Sequence, residues 1–179
     1  MIHKIKELQT SGKIIGFTAS SFDLLHAGHY IMLKDSRQQC DFLVVALQSD
    51  PTLDLNYRLE TGGKQKNKPI QSLQERKEQL EGCKYIDCII QYNNEDELYN
   101  IIKDLKPDIR ILGSDWKGKK YTGYDLNTKI HWHNRNHDYS TSNLRKRVFD
   151  AEVAKRDKYW GDWVKGIIPH DTPNITWKP

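Results

Sequence analysis

The sequence predicts an α/β fold: a doubly wound parallel sheet of five strands with helices on both faces, followed by a C-terminal extension. Three observations predict it. Short apolar runs alternate with stretches of helical spacing from about residue 14 to about residue 156, the pattern of parallel strands joined by helical crossovers. Several runs are almost continuously apolar, as strands buried on both faces require. Polar or glycine-bearing turns close the runs, and in such sheets ligands bind outside the carboxyl ends of the strands.

Residues 2–10 form a short amphipathic helix stopped at Ser11-Gly12. Ile14–Ala19 is the first strand, and the helix after His26-Ala27-Gly28-His29 runs to about Cys40. Asp41–Leu47 is the second strand, ended by Gln48-Ser49-Asp50-Pro51. From Thr52 to Pro69 the chain is polar and lysine-rich, with Gly62-Gly63, and reads as a loop that closes over a ligand. Ser72 and Glu75 have the spacing of a capping box, for a helix that Gly82 ends. Tyr85–Ile90 is the third strand. Asn94 caps a helix whose Leu98, Ile101, Ile102 and Leu105 form an apolar face, with Pro107 past its end. Ile109–Leu112 and Lys129–His133 complete the sheet, and Ser140 or Thr141 starts a last helix to about Arg156. The arrangement is Rossmann-like, with one domain over 1–156 and an extension over 157–179.

The composition narrows the function. At 179 residues the chain suits a single domain, and its net charge of +4 suits anionic small substrates as well as nucleic acid. Cys40, Cys83 and Cys88 form no CxxC pair, which argues against a disulfide framework or zinc finger and for a reducing, cytoplasmic setting. The N-terminus lacks the apolar stretch of a signal peptide, and no run reaches the length of a membrane span.

The chemistry centres on residues 20–29. A strand that feeds a helix through a short turn presents unpaired N–H groups and the positive end of the helix dipole to an anion. His26 and His29, three apart, face one ligand, and Gly28 lets it approach the backbone. Four further stretches suit the same crevice. Lys64 and Lys66 point the same way on extended chain and can close over a triphosphate. Arg76, on an early helical turn, can reach a phosphate with its planar fork. Gly113 ends a strand, with Asp115 and Trp116 placed to read a base or ribose. Arg135 stands before Ser140, Thr141 and Ser142 at a helix start, a second phosphate site.

Phe22-Asp23-Leu24-Leu25-His26-Ala27-Gly28-His29 resembles the HxGH signature of the nucleotidyltransferase superfamily, in the form of its cytidylyltransferase branch. From about Ile14 to Arg147 the chain is similar to the glycerol-3-phosphate cytidylyltransferases. Ser20 and Ser21 stand at the Gly-Thr positions before Phe22, and Lys64 and Lys66, or in the other register Lys66 and Lys68, at the loop lysines. Arg76 matches the helix arginine, Ser114–Lys119 the GxDWxGK stretch, and Arg135 with Ser140–Ser142 the RTxxISTT stretch. The resemblance implies transfer of CMP from CTP to a small phosphorylated alcohol, glycerol 3-phosphate first, with loss of pyrophosphate. It implies His26, His29, Asp23, Lys64, Lys66 and Arg135 as catalytic groups. Ser20, Ser21, Phe22, Gly28, Gly113, Asp115, Trp116, Ser140, Thr141 and Ser142 are implied at the nucleotide, and Arg76, Lys66 and Lys117 at the acceptor. Magnesium enters with CTP near Asp23, and a homodimer is expected through Tyr57, Arg58 or the tail tryptophans Trp160, Trp163 and Trp177.

Other readings stay open. One is an adenylyltransferase, or a cytidylyltransferase for a sugar or amino-alcohol phosphate. Another class is a nucleic-acid-binding module using the basic helix around Arg145, Lys146 and Arg147. His131 and His133 share a strand face and with His137 make a metal site conceivable, but no acid stands at the usual spacing. The leading expectation includes neither a nucleic-acid nor a membrane partner.

Overall fold

The computed structural model describes the backbone of residues 2–54 and 66–164, with side chains for 3–54 and 66–161. These fall into two compact units, Met1–Tyr139 and Ser140–Pro179. The first holds α1 (Ile2–Thr10), β1 (Ile15–Ser20), α2 (Ala27–Gln38), β2 (Phe42–Gln48), α3 (Leu73–Glu81), β3 (Cys88–Tyr92), α4 (Glu95–Leu105), β4 (Ile109–Gly113) and β5 (Lys129–His133). The second carries α5 (Thr141–Val164).

The five strands are parallel, in the order β3-β2-β1-β4-β5. Alternate residues of each strand feed opposite faces. Val44 and Ala46 of β2 join Ile15 and Phe17 under α1 and α4, where Ile5, Leu98, Ile102 and Leu105 are buried. Leu43, Val45 and Leu47 face the other way, with Leu33 of α2 and Leu80 of α3. Because the chain winds out from β1 on both sides, β1 and β4 flank the point where strand order reverses. Such a sheet opens its crevice there.

Sequence spacing places most elements to within a residue or two, and side-chain caps at His26, Ser72, Asn94 and Ser140 account for the starts of α2 to α5. Ser72 accepts from Glu75 N while the Glu75 carboxylate takes Ser72 N–H. Two boundaries differ. The third strand begins at Cys88, not Tyr85, because Ile86 N–H turns back onto Cys83 O and Asp87 takes Leu43 N–H, so pairing opens at Val44 and Cys88. The last helix runs on to Val164, since no proline or glycine interrupts it between Thr141 and Trp160.

The second unit, by itself, is a mostly exposed helix capped by Ser140, whose hydroxyl accepts from Asn143 N. Three of its cations pair with acids of the same helix: Lys146 with Asp150, Lys155 with Glu152, Arg156 with Asp157. Trp160 is exposed; Tyr57, Arg58, the Trp163 side chain and Trp177 lie outside the described residues. No helix among the described residues is long and apolar enough to cross a membrane.

Candidate active site

The crevice opens where β1, β4 and β5 end and α2 begins. Ser20, His26, Gly28 and His29 line one side, and Gly113, Asp115, Trp116 and Arg135 the other. Two glycines keep it open. A Cβ on Gly28 would stand 2.9 Å from His137 Cε1 and 3.0 Å from His26 Cε1. On Gly113 it would fall 2.3 Å from Asp115 Oδ1.

The two histidines are fixed by the helix they start. His26 is the N-cap of α2, and its Nδ1 accepts from Gly28 N at 3.1 Å. His29, three residues on, completes a capping box by accepting from His26 N at Nδ1, a long bond of 3.4 Å. With Nδ1 accepting in each, the neutral rings carry their hydrogen on Nε2. The rings stack with centroids 4.0 Å apart.

Electrostatics keeps them neutral. Burial, then Arg135 and His137, pushes the His26 imidazolium to lower pKa. His29 is driven to about 3, first by burial, then by His26 and Arg135, with Asp23 opposing. The crevice therefore holds two neutral N–H donors at a helix N-terminus, a geometry that stabilises oxyanions. Arg135 adds a fixed positive charge 3.3 Å from Asp115, both half-exposed.

Three expected site residues have other work. Arg76 was expected at the acceptor, but it is 2 % exposed and does not face the crevice. Its guanidinium donates to the carbonyls of Gln71, Ser21, Gln48 and Ser49 at 2.6–3.2 Å. The expected magnesium ligand Asp23 is buried, and its Oδ1 accepts from Ile70 N and Gln71 N. Among the described residues no group of three His, Cys, Asp or Glu is arranged to hold a metal. Phe22, expected at the nucleotide, lies in the core with its ring 5.3 Å from His29.

Together these residues brace the turn that aims the histidines. Phe22 and Leu24 hold φ of 48° and 49°, a conformation costly for residues with a Cβ. Asp23 and Arg76 tie this turn to residues 48–49 and 70–71, and Gln71 Oε1 takes Leu24 N–H. Scaffold bonds thus hold the strained turn in place.

The remaining expectations divide by position. Ser21 contributes its carbonyl to Arg76. Lys66 is exposed, as is Lys117 just past the short turn Ser114–Trp116. Lys64 lies outside the described residues. Ser140, Thr141 and Ser142 stand at the start of α5 in the second unit.

Sequence reading missed Asp35. On α2, its Oδ2 accepts from His133 Nδ1 at 2.7 Å and from His131 Nε2 at 2.9 Å, anchoring β5 to the motif helix. Burial works against the Asp35 charge, yet the bonds from His133 and His131 hold its pKa below the usual value. The shared strand face of His131 and His133 was the only signal; the acid sits 96 residues away from His131 and looks like an ordinary helical surface residue.

Residues 17–147 match the cytidylyltransferase-like family. The chain is similar to the bifunctional protein HldE of Campylobacter concisus, 33% identical over 158 residues that make up 84% of this chain and 32% of that protein. It is also similar to HldE of Wolinella succinogenes, 35% identical over 126 residues, 70% of this chain and 25% of that one. The chain thus spans about a third or less of the length of these curated relatives. Among solved structures, a lipopolysaccharide core biosynthesis protein from Thermoplasma volcanium superposes with a TM-score of 0.53 at 28% identity, covering 72% of this chain and all of that one. A pantoate-beta-alanine ligase from Francisella tularensis shares the fold at a TM-score of 0.55 and 19% identity, over 87% of this chain and 75% of that one.

Proposed function

The chain belongs to the cytidylyltransferase-like family of nucleotidyltransferases, and on that footing we propose that it transfers CMP from CTP to a small phosphorylated alcohol, glycerol 3-phosphate first. The observation that carries this reading is the stacked pair His26 and His29, both neutral and both with the hydrogen on Nε2, at the N-terminus of α2. Phosphoryl transfer asks a protein mainly for positioning and for stabilisation of charge on the phosphate oxygens. Two neutral donors in a crevice, with the Arg135 cation near them, supply that without a covalent intermediate.

In the proposed reaction an oxygen of the acceptor phosphate forms a bond to the α-phosphorus in line. The bond from that phosphorus to the bridging oxygen breaks, and pyrophosphate leaves with the electron pair. His26 and His29 donate to the α-phosphate and bridging oxygens. Lys64, Lys66, Arg135 and the hydroxyls of Ser140 and Thr141 hold the β- and γ-phosphates, as the resemblance implies, and Lys117 stands by the acceptor. Magnesium travels with the nucleotide in this reading and takes no ligand from Asp23. A two-fold homodimer in the cytoplasm belongs to the same proposal, and a monomeric mass by light scattering at micromolar concentration would remove it.

A second reading has a specific motive. The similar Thermoplasma protein is a lipopolysaccharide core biosynthesis protein, which supports a sugar phosphate as acceptor, with ATP or CTP as donor. One assay separates the two: pyrophosphate release over CTP and ATP, each with glycerol 3-phosphate and with sugar 1-phosphates. The first reading expects turnover with CTP and glycerol 3-phosphate, the second with a sugar phosphate. Absence of pyrophosphate with every pair would overturn both.

A further inference from the structure

The histidines of β5 have no part in the transfer described above, yet His133 is built into the same crevice. A carboxylate only accepts hydrogen bonds, so Asp35 Oδ2 fixes a proton on His133 Nδ1 at 2.7 Å and on His131 Nε2 at 2.9 Å. A neutral ring protonated at Nδ1 carries its lone pair on Nε2. In His133 that Nε2 is buried without a hydrogen-bond partner among the described residues. The residue is 4% exposed and lines the crevice with His29 and Arg135.

Buried polar atoms nearly always find a partner, and an orphan in a binding crevice marks where one arrives. His137 does not serve: its ring centre is 6.4 Å away, and both its nitrogens are buried and unbonded too. A metal ion is not favoured, since no group of three ligating residues is arranged to hold one among the described residues. Phosphate oxygens would oppose a lone pair. A hydroxyl, with a proton to donate, suits it.

We propose that His133, held in one tautomer by Asp35, is the hydrogen-bond acceptor for a hydroxyl of the bound substrate, with Asp35 as its positioning residue. The inference rests on the functional reading above, in which both the nucleotide ribose and the polyol acceptor carry such hydroxyls. It assigns this chain a specificity element opposite in sense to the histidines of α2, which donate.

The test compares wild type, His133→Leu and Asp35→Asn. Calorimetry gives the affinity for CTP and for its 2′-deoxy and 3′-deoxy forms; steady-state kinetics gives KM for glycerol 3-phosphate and for its analogue lacking the secondary hydroxyl. Nitrogen-15 spectra of the imidazoles read the tautomer without any substrate. In one arm the wild type should prefer the hydroxylated ligand by about tenfold, and the preference should fall towards unity in both variants. The arm that responds identifies the hydroxyl as ribose or acceptor. The wild-type spectrum should show His133 protonated at Nδ1, and Asp35→Asn should change that. Should His133→Leu not fold, Asp35→Asn carries the same measurements. A wild-type ring protonated at Nε2, a preference unchanged in both arms, or stoichiometric zinc bound through His133 overturns the proposal. If the wild type binds none of the nucleotides, the functional reading falls and the inference with it; normal binding with an unaffected preference fells the inference alone.

Discussion

Two pairs of histidines flank α2, His26 and His29 at its start and His131 and His133 of β5 bonded to Asp35 on it, and they are wired in opposite ways. His26 and His29 use Nδ1 to accept backbone N–H groups. His133 uses Nδ1 to donate to the Asp35 carboxylate. The same side chain therefore presents a donor at Nε2 in the first pair and an acceptor in His133. What decides the chemistry of an imidazole here is the partner of its other nitrogen. Backbone amides make an anion-binding group, and a carboxylate makes a group for hydroxyls.

The largest expected effect falls on the donor pair. Substituting His29→Ala should lower turnover about 10²–10³-fold, the usual loss when one well-placed donor to a transition-state oxyanion is removed. His26 needs a finer test, because it also caps α2. His26→Ala removes both roles and should cost about 1 kcal/mol of stability besides the rate. His26→Asn keeps a capping oxygen and loses only the crevice donor, so its melting temperature should stay near wild type while turnover falls as far. Pyrophosphate release and thermal denaturation of the three variants report the two effects separately. A variant that keeps more than about a third of wild-type turnover would show its histidine to be structural, since such a loss is worth under about 1 kcal/mol.

Next in size is the response to acid, which should divide the two regions along the pH axis. His29 in the folded protein has its pKa depressed from 6.5 to about 3. Between those values the unfolded chain binds a proton that the folded chain refuses, so stability falls as pH drops below 6.5, by up to about 1.4 kcal/mol per pH unit. His26 acts in the same direction. Asp35 behaves differently: its lowered folded pKa lends stability above the ordinary carboxylate value of 3.8, lost only as pH falls through the folded value. Urea titrations from about pH 7 to about pH 5 should show a decline of about 2 kcal/mol in wild type, most of it absent in His29→Gln. An equal decline in both proteins would show that His29 is not held neutral.

The donor pair was legible in the sequence and the acceptor pair only half so, for a physical reason. Helix caps, strand alternation and the i, i+3 placement of His26 and His29 are set by neighbours a few residues apart, and local spacing reports them. The same holds for Ser72 with Glu75 and for the core residues of β2. Asp23 and Arg76 were read as ligand groups because their chemistry suits magnesium and phosphate. Their backbone partners lie 28 to 55 residues away for the Arg76 bonds to Gln48 and Ser21, and 47 and 48 for Asp23. Burial and long-range pairing decide whether a guanidinium braces a turn or grips a substrate, and local pattern carries neither. Asp35 was invisible on the same grounds. The displaced start of β3 has a milder cause: Tyr85 and Ile86 are apolar because they pack against the α2 and α3 side of the sheet from a turn, not from a strand.

The smallest effect separates the two histidines of β5 from each other. Both bond the same Asp35 oxygen, but only His133 lines the crevice. His131 is more exposed, with 27% of its side chain open to solvent against 5% for His133. Its bond therefore competes with water and should be worth about 1 kcal/mol or less. His131→Asn should lower stability by no more than that and should leave both turnover and the preference for hydroxylated ligands as in wild type, because His133 alone suffices to hold Asp35 in place. Thermal denaturation with the analogue kinetics of wild type and variant provides the check. If His131→Asn erodes the preference as far as Asp35→Asn does, the carboxylate needs both imidazoles to hold its position, and the acceptor is then a unit of three residues.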